Sequence, residues 1–124
     1  MDSRVLHDRE RLKKNSDISR VFDKGIRLKG RLVSVFILRD ASSHTNRAAF
    51  IIKKSLYDKK TVLRNRFRRV IREAYRNSKF LLFPGHDIVI LSGCLDKNTS
   101  SATVEKDLRH VFKQYIEKYH QILS

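Results

Sequence analysis

From Asn15 to Lys24, Ile18, Val21 and Phe22 recur at helical spacing. Asn15 or Ser16 is suited to cap that helix, and Gly25 stands where a left-handed turn would end it. The pattern then switches to a period of two. In "RLVSVFILR" (31–39), Leu32, Ser34, Phe36 and Leu38 share one face and Val33, Val35 and Ile37 the other, as in a strand. After the polar stretch "DASSHTN" comes "RAAFIIKK" (47–54), and the two runs are expected to pair as an antiparallel hairpin. Ser55, with Asp58 three residues later, resembles a capping box and opens a helical periodicity that lasts to about Ser78. "FPGHD" reads as a turn and "DIVILSG" (87–93) as a short buried strand. Beyond the polar loop "DKNTSSAT", a last amphipathic helix carries the stripe Val104, Leu108, Val111, Phe112, Tyr115, Ile116 and Tyr119. The succession helix, strand, strand, helix, strand, helix predicts an α+β fold with helices packed on one sheet.

Composition narrows the class. The 124 residues suit a single domain, 1–124, with a real core. Cys94 is the lone cysteine, so no disulfide framework is possible, and an intracellular, cytoplasmic setting is expected. No apolar run approaches the ~18 residues of a membrane span, and the N-terminus lacks the apolar stretch of a secretory signal. The net charge is +15, and its distribution is uneven: residues 47–79 hold twelve basic residues and two acids, a net +10. Residues 1–31 add ten bases and five acids, whereas residues 80–124 are neutral, with five of each. The middle of the chain is therefore the candidate binding surface, and its partner is polyanionic.

That surface centres on "RNRFRRVIREAYR" (64–76), six arginines and a single acid in thirteen positions. At roughly 100° per residue, Leu63, Phe67, Val70, Ile71 and Ala74 fall in one arc. Arg64, Asn65, Arg68, Arg69, Arg72 and Arg76 fill a separate one. A helix so divided is anchored on one side and presents guanidinium groups on the other, and each planar fork can donate two hydrogen bonds to one phosphate. Lys53, Lys54, Lys59 and Lys60 extend the field upstream. A merely solvated face mixes its signs with i,i+4 pairs, and a membrane-surface helix shows a large aromatic or leucine face. Neither fits, which leaves nucleic acid. A helix-turn-helix reader needs a helix just before its recognition helix; here a strand precedes it, so structured RNA read through its backbone and shape is the better match.

Protein-based catalysis has no visible apparatus. The 13 acids are dispersed, and His7, His44, His86, His110 and His120 lack metal-ligand spacing. No phosphate-binding glycine loop or Ser/His/Asp set appears. Cys94 has no basic cluster or helix start beside it to make it a nucleophile.

The same residues carry a resemblance. "RNRFRRVIREAYR" resembles the signature of the bacterial ribonuclease P protein component, the small basic subunit of a ribozyme. "RERLKKNSDISRVFDKG", "RLVSVFILR" and "FPGHDIVIL" resemble the family's neighbouring segments, so the likeness spans nearly the whole chain. It implies a four-stranded sheet with three helices, in the order α-β-β-(β)-α-β-α, with a left-handed crossover through the signature helix. It implies that the catalytic subunit is RNA, which uses magnesium to remove the 5′ leader of precursor tRNA, and that the protein alone is inactive. No further protein partner and no membrane are implied. By position, Arg64, Asn65, Arg66, Arg68, Arg69 and Arg72 would face the catalytic RNA, with Arg76, Lys53, Lys54 and Lys60 beside them. Ile18, Phe22 and Phe36 would line the cleft for the single-stranded leader, where aromatic faces stack on bases. Taken without the resemblance, both phenylalanines read as core. The chain departs from the family at "KKSLYDKKTVL", where Lys-x-Gly-x-Ala-Val is usual, and at Ile18, where an aromatic is common. The alternative is a ribosomal or RNA-assembly protein using the same basic helix.

Overall fold

A computed structural model describes residues 7–40, 44–53, 61–92 and 98–123, with the side chains of 61–64 and 119–123 outside the description. Lys54, Ser55, Asp58, Lys59, Lys60 and Cys94, and the side chains of Leu63, Arg64, Tyr119 and His120, therefore lie outside the described residues. Among the described residues the elements run α1 (Asn15–Lys24), β1 (Ile26–Lys29), β2 (Val33–Arg39), β3 (Arg47–Ile52), α2 (Thr61–Ser78), β4 (His86–Ser92) and α3 (Ser101–Leu123). The strands form one mixed sheet in the order β1-β2-β4-β3. β1 pairs antiparallel with β2, β2 antiparallel with β4, and β3 parallel with β4.

The expected β2–β3 hairpin does not form, because β4 lies between them. Its register joins Val35 to Ile90 on one side and Phe50 to Ile90 on the other. The reason is composition: β4 is buried along nearly its whole length, and a strand apolar on both faces belongs at the centre of a sheet covered on both sides. The extra strand β1, "IRLK", is an edge strand of four residues of which Leu28 alone is buried.

Alternation then sorts the side chains between two faces. Val33, Val35, Ile37, Ile88 and Ile90 join Phe67, Ile71, Ala74 and Tyr75 of α2 and Val104, Leu108, Val111, Phe112 and Tyr115 of α3 in the main core. Tyr75 and Ser78 enlarge the buried side of α2 beyond the arc read from the sequence, and the Tyr75 ring packs edge-on to Phe50 and Phe112. Leu32 packs on this core too and not on the Phe36 face, because it precedes the strand. There its amide and those of Arg31 and Val33 donate to the Asp107 carboxylate of α3 at 2.8–3.1 Å. On the opposite face, α1 sets Val21 against Ala49, Val89 and Leu12, with Ile18, Phe36, Leu38 and Ile51 partly covered around them.

Two glycines matter locally. Gly25 is extended, with φ −76°, and not left-handed as expected; a Cβ there would come within 2.5 Å of the Val21 carbonyl oxygen. Gly85 takes the left-handed role, at φ 105° in the turn before β4. The first helix is capped by the backbone position of Lys14, with no side-chain hydrogen bond from Asn15 or Ser16.

Candidate nucleic-acid interface

The apolar anchor of α2 decides which residues face outward. With Phe67, Ile71, Ala74 and Tyr75 buried, Asn65, Arg66, Arg68 and Arg69 are exposed, and Arg72 and Arg76 are half-buried at the boundary. Arg64 lies in the first turn of the same helix. Lys53 is exposed just beyond β3, its amide donating to the Ser92 carbonyl at 3.0 Å. The acid within the signature, Glu73, pairs with Arg76 at 3.4 Å.

The edge of β3 adds a cation that the periodicity of α2 could not reveal. The N-terminal segment runs beside this edge, bridging Arg11 to Ala48, and the Leu12 amide donates to the Ala48 carbonyl at 2.9 Å. This covers an otherwise open strand edge and brings Arg11 to α2. Arg11, Arg69, Arg72 and Arg76, with Glu73, line a depression of about 330 Å³. Burial, together with the repulsion of Arg11, Arg68 and Arg69, pushes the Arg72 pKa down. The Nε atoms of Arg72 and Arg76 are buried and have no hydrogen-bond partner among the described residues. Four guanidinium groups with one carboxylate among them repel one another in the free protein, and an anion that bridges them relieves that repulsion.

A second groove, of about 290 Å³, joins this helix to α1, with Arg68 and Arg72 on one wall, Ile18, Leu12 and Lys13 on the other, and Ala49 and Ile51 among its lining residues. Phe22 remains 37% exposed. It meets the half-buried Phe36 edge-on, at 4.7 Å between ring centroids, while the Arg27 guanidinium lies 5.8 Å from the Phe36 ring. The structure thus gathers Ile18, Phe22 and Phe36 on the α1 side of the sheet and leads from Ile18 to the arginine face.

An ion network holds α1 in that place. Asp87 of β4, with a fully buried side chain, accepts two hydrogen bonds from Arg47 (2.9 and 2.8 Å) and one at 3.4 Å from Arg20 of α1. Asp17 of α1 lies 3.6 Å from Arg47 and 3.9 Å from Arg20. At the far end of α2, Lys79 donates to Glu10 at 2.9 Å, tying the N-terminal segment to the helix. The best-placed carboxylates are thus engaged: Asp87 by arginines, Glu10 by Lys79 and the His7 amide, and Asp107 by three amides. Among the described residues no group of three or more His, Cys, Asp or Glu is placed to hold a metal ion. His86 is likewise structural: its ring nitrogens meet the Phe83 carbonyl at 2.8 Å and the Tyr115 hydroxyl at 3.0 Å.

An α+β sheet that presents a one-sided arginine helix beside an apolar groove defines a small polyanion-binding protein. The family model for Ribonuclease P matches residues 6–116, and the chain belongs to that family. It is 31% identical over 104 residues to the ribonuclease P protein component of Clostridioides difficile, covering 83% of this chain and 89% of that one. Identity to the same component of Bacillus velezensis is 31% over 109 residues, with 88% and 91% covered. The fold matches the Staphylococcus aureus RNase P protein with a TM-score of 0.72 at 27% identity, covering 86% of this chain and 94% of that one. The protein is accordingly an RNA-binding subunit of ribonuclease P, part of a tRNA-processing endonuclease, and its partner is the RNase P RNA. Among the described residues no helix is long and apolar enough to cross a membrane.

Proposed function

We propose that the exposed face of α2, with Arg64, Asn65, Arg66, Arg68, Arg69, Arg72 and Arg76, holds the catalytic RNA, and that Lys53, Lys54 and Lys60 extend this contact. The 5′ leader of precursor tRNA lies in the groove between α1 and the sheet, against Ile18, Phe22 and Phe36. Cleavage of the leader is carried out by the RNA with magnesium that the RNA binds, in the cytoplasm, and the protein alone is inactive. The observation that carries the reading is the arginine cluster around Arg72: four guanidinium groups share one depression with a single acid. A phosphate backbone supplies the further anionic acceptors that one carboxylate cannot. The groove from Ile18 to Arg68 supports a path by which a leader reaches the same face. Reconstitution tests this reading: purified protein is assayed on precursor tRNA with magnesium, with and without the catalytic RNA. Leader removal at low magnesium that needs both components is the expected result. Cleavage by the protein alone, or RNA activity indifferent to the protein, contradicts it.

A further inference from the structure

The turn after α2 exposes a phenylalanine that the fold does not need. Lys79–Leu81 forms a single 3-10 turn, in which Lys79 reaches Glu10 and Leu81 packs on the core. Leu82, directly after it, is buried. Phe80 is turned outward by this arrangement and remains 65% exposed. Cations outnumber acids around it. The Arg109 guanidinium lies 5.1 Å from the ring centroid and is itself held by Glu105 at 2.9 Å and the Asn77 carbonyl at 3.1 Å. Arg109 therefore has its place without Phe80 and braces the ring from its own side. Phe80 also lines a cavity of about 370 Å³ with Arg9, Arg76 and the Lys79–Glu10 pair. Arg76 lines the arginine depression as well, so the two recesses share a wall.

We infer that Phe80 is a second base-stacking platform: a single-stranded RNA segment passes from the arginine face of α2 over Arg76, its phosphates on Arg76 and Arg9 and one base on the Phe80 ring. Basic grooves with interleaved aromatics bind single strands in this way, because every base has a stacking face and the backbone needs only cations. The segment belongs either to the catalytic RNA or to precursor tRNA; the chemistry is shared. The inference rests on the RNA-binding role proposed for α2 and extends it by one turn beyond the signature.

The chain has no tryptophan, so Phe80→Trp places a single fluorescent reporter at the site. Quenching when catalytic RNA is added assigns the strand to that RNA. Quenching that appears only when precursor tRNA joins the assembled complex assigns it to the substrate. Either result supports the inference. In parallel, Phe80→Ala and Phe80→Leu weaken binding of the assigned RNA about five- to tenfold, Phe80→Tyr retains it, and all keep the wild-type melting temperature. Absence of quenching with both RNAs saturating, or wild-type affinity in Phe80→Leu, overturns the inference. A dimer that is lost in Phe80→Ala, in place of any RNA effect, overturns it in favour of a second copy of the chain. If the Arg68 and Arg69 variants still lose RNA affinity while Phe80→Trp stays silent, the failure is confined to Phe80. If both are silent, the role of α2 fails with it.

Discussion

Asp87 links the stability of the fold to the placement of α1 beside the groove proposed for the leader, and Asp87→Asn separates its charge from its size. The wild-type network holds two acids and two bases. The substitution leaves one surplus positive charge around a fully buried amide and replaces one acceptor oxygen with a donor facing a guanidinium. Breaking one partner of a buried pair costs about 3–5 kcal/mol. Here the side chains of Arg47 and Arg20 keep 31% and 43% of their exposure, so water recovers part of the loss and about 2–3 kcal/mol is expected. For a chain of this length that corresponds to a fall in Tm of roughly 10 °C. Asp17→Asn is the control: its contacts are longer and more exposed, and it costs under about 1 kcal/mol. Urea and thermal melts of the two variants beside wild type give the free-energy cost and the Tm. Because Arg20 carries Ile18 and Phe22 with it on α1, Asp87→Asn also narrows the preference for precursor over mature tRNA at temperatures where it is folded. Affinity for the catalytic RNA through α2 stays unchanged. A Tm loss below about 2 °C, or equal losses in the two variants, refutes the claim that Asp87 is the keystone of the network.

Phe67→Ala removes a fully buried ring beneath the arginine face and costs about 3–5 kcal/mol; a wild-type chemical melt contradicts the orientation of α2. Burial pushes the His86 pKa below its usual value, so the folded protein favours the neutral ring. Its contribution to stability is full above the unfolded-state value near 6.5 and is lost as pH falls through the lower folded value; stability measured from pH 7.5 to 5 declines, and less so in His86→Gln. Phe36→Ala in the reconstituted complex weakens precursor tRNA binding by about 1–3 kcal/mol and leaves mature tRNA nearly unaffected. Equal losses for both return Phe36, with its Phe22 partner, to an ordinary packing role.

Local pattern made much of this legible. The division of α2 into a buried and an arginine face follows from periodicity, and the stripe of α3 from Val104 to Tyr115 is buried as read. Partner choice within the sheet was not legible from adjacency: β2 and β3 are neighbours in sequence, yet the buried run of β4 pairs with both. β1 escaped because four residues with one buried side chain give no alternation to detect. Arg11 escaped because backbone hydrogen bonds to the β3 edge bring it to α2, and those are indifferent to side-chain pattern. Phe80 sits in the apolar run "KFLLF", where composition suggests core throughout; the phase of one 3-10 turn decides which residue faces water.

The central claim is that the outer face of α2 binds RNA through its phosphates, and the salt dependence of that binding measures it directly. Arg68 and Arg69 are the appropriate pair, since both are exposed, whereas the Arg72 guanidinium lies 5.9 Å from the Phe50 ring and is half-buried. The binding constant for the catalytic RNA is measured across a range of salt for wild type and for the Arg68→Ala, Arg69→Ala double variant. Each phosphate contact contributes about 0.7–0.9 to the slope of log K against log salt, so the variant's slope is shallower by about 1.5. Its melting temperature is unchanged. An unchanged slope in a fully folded variant contradicts the account.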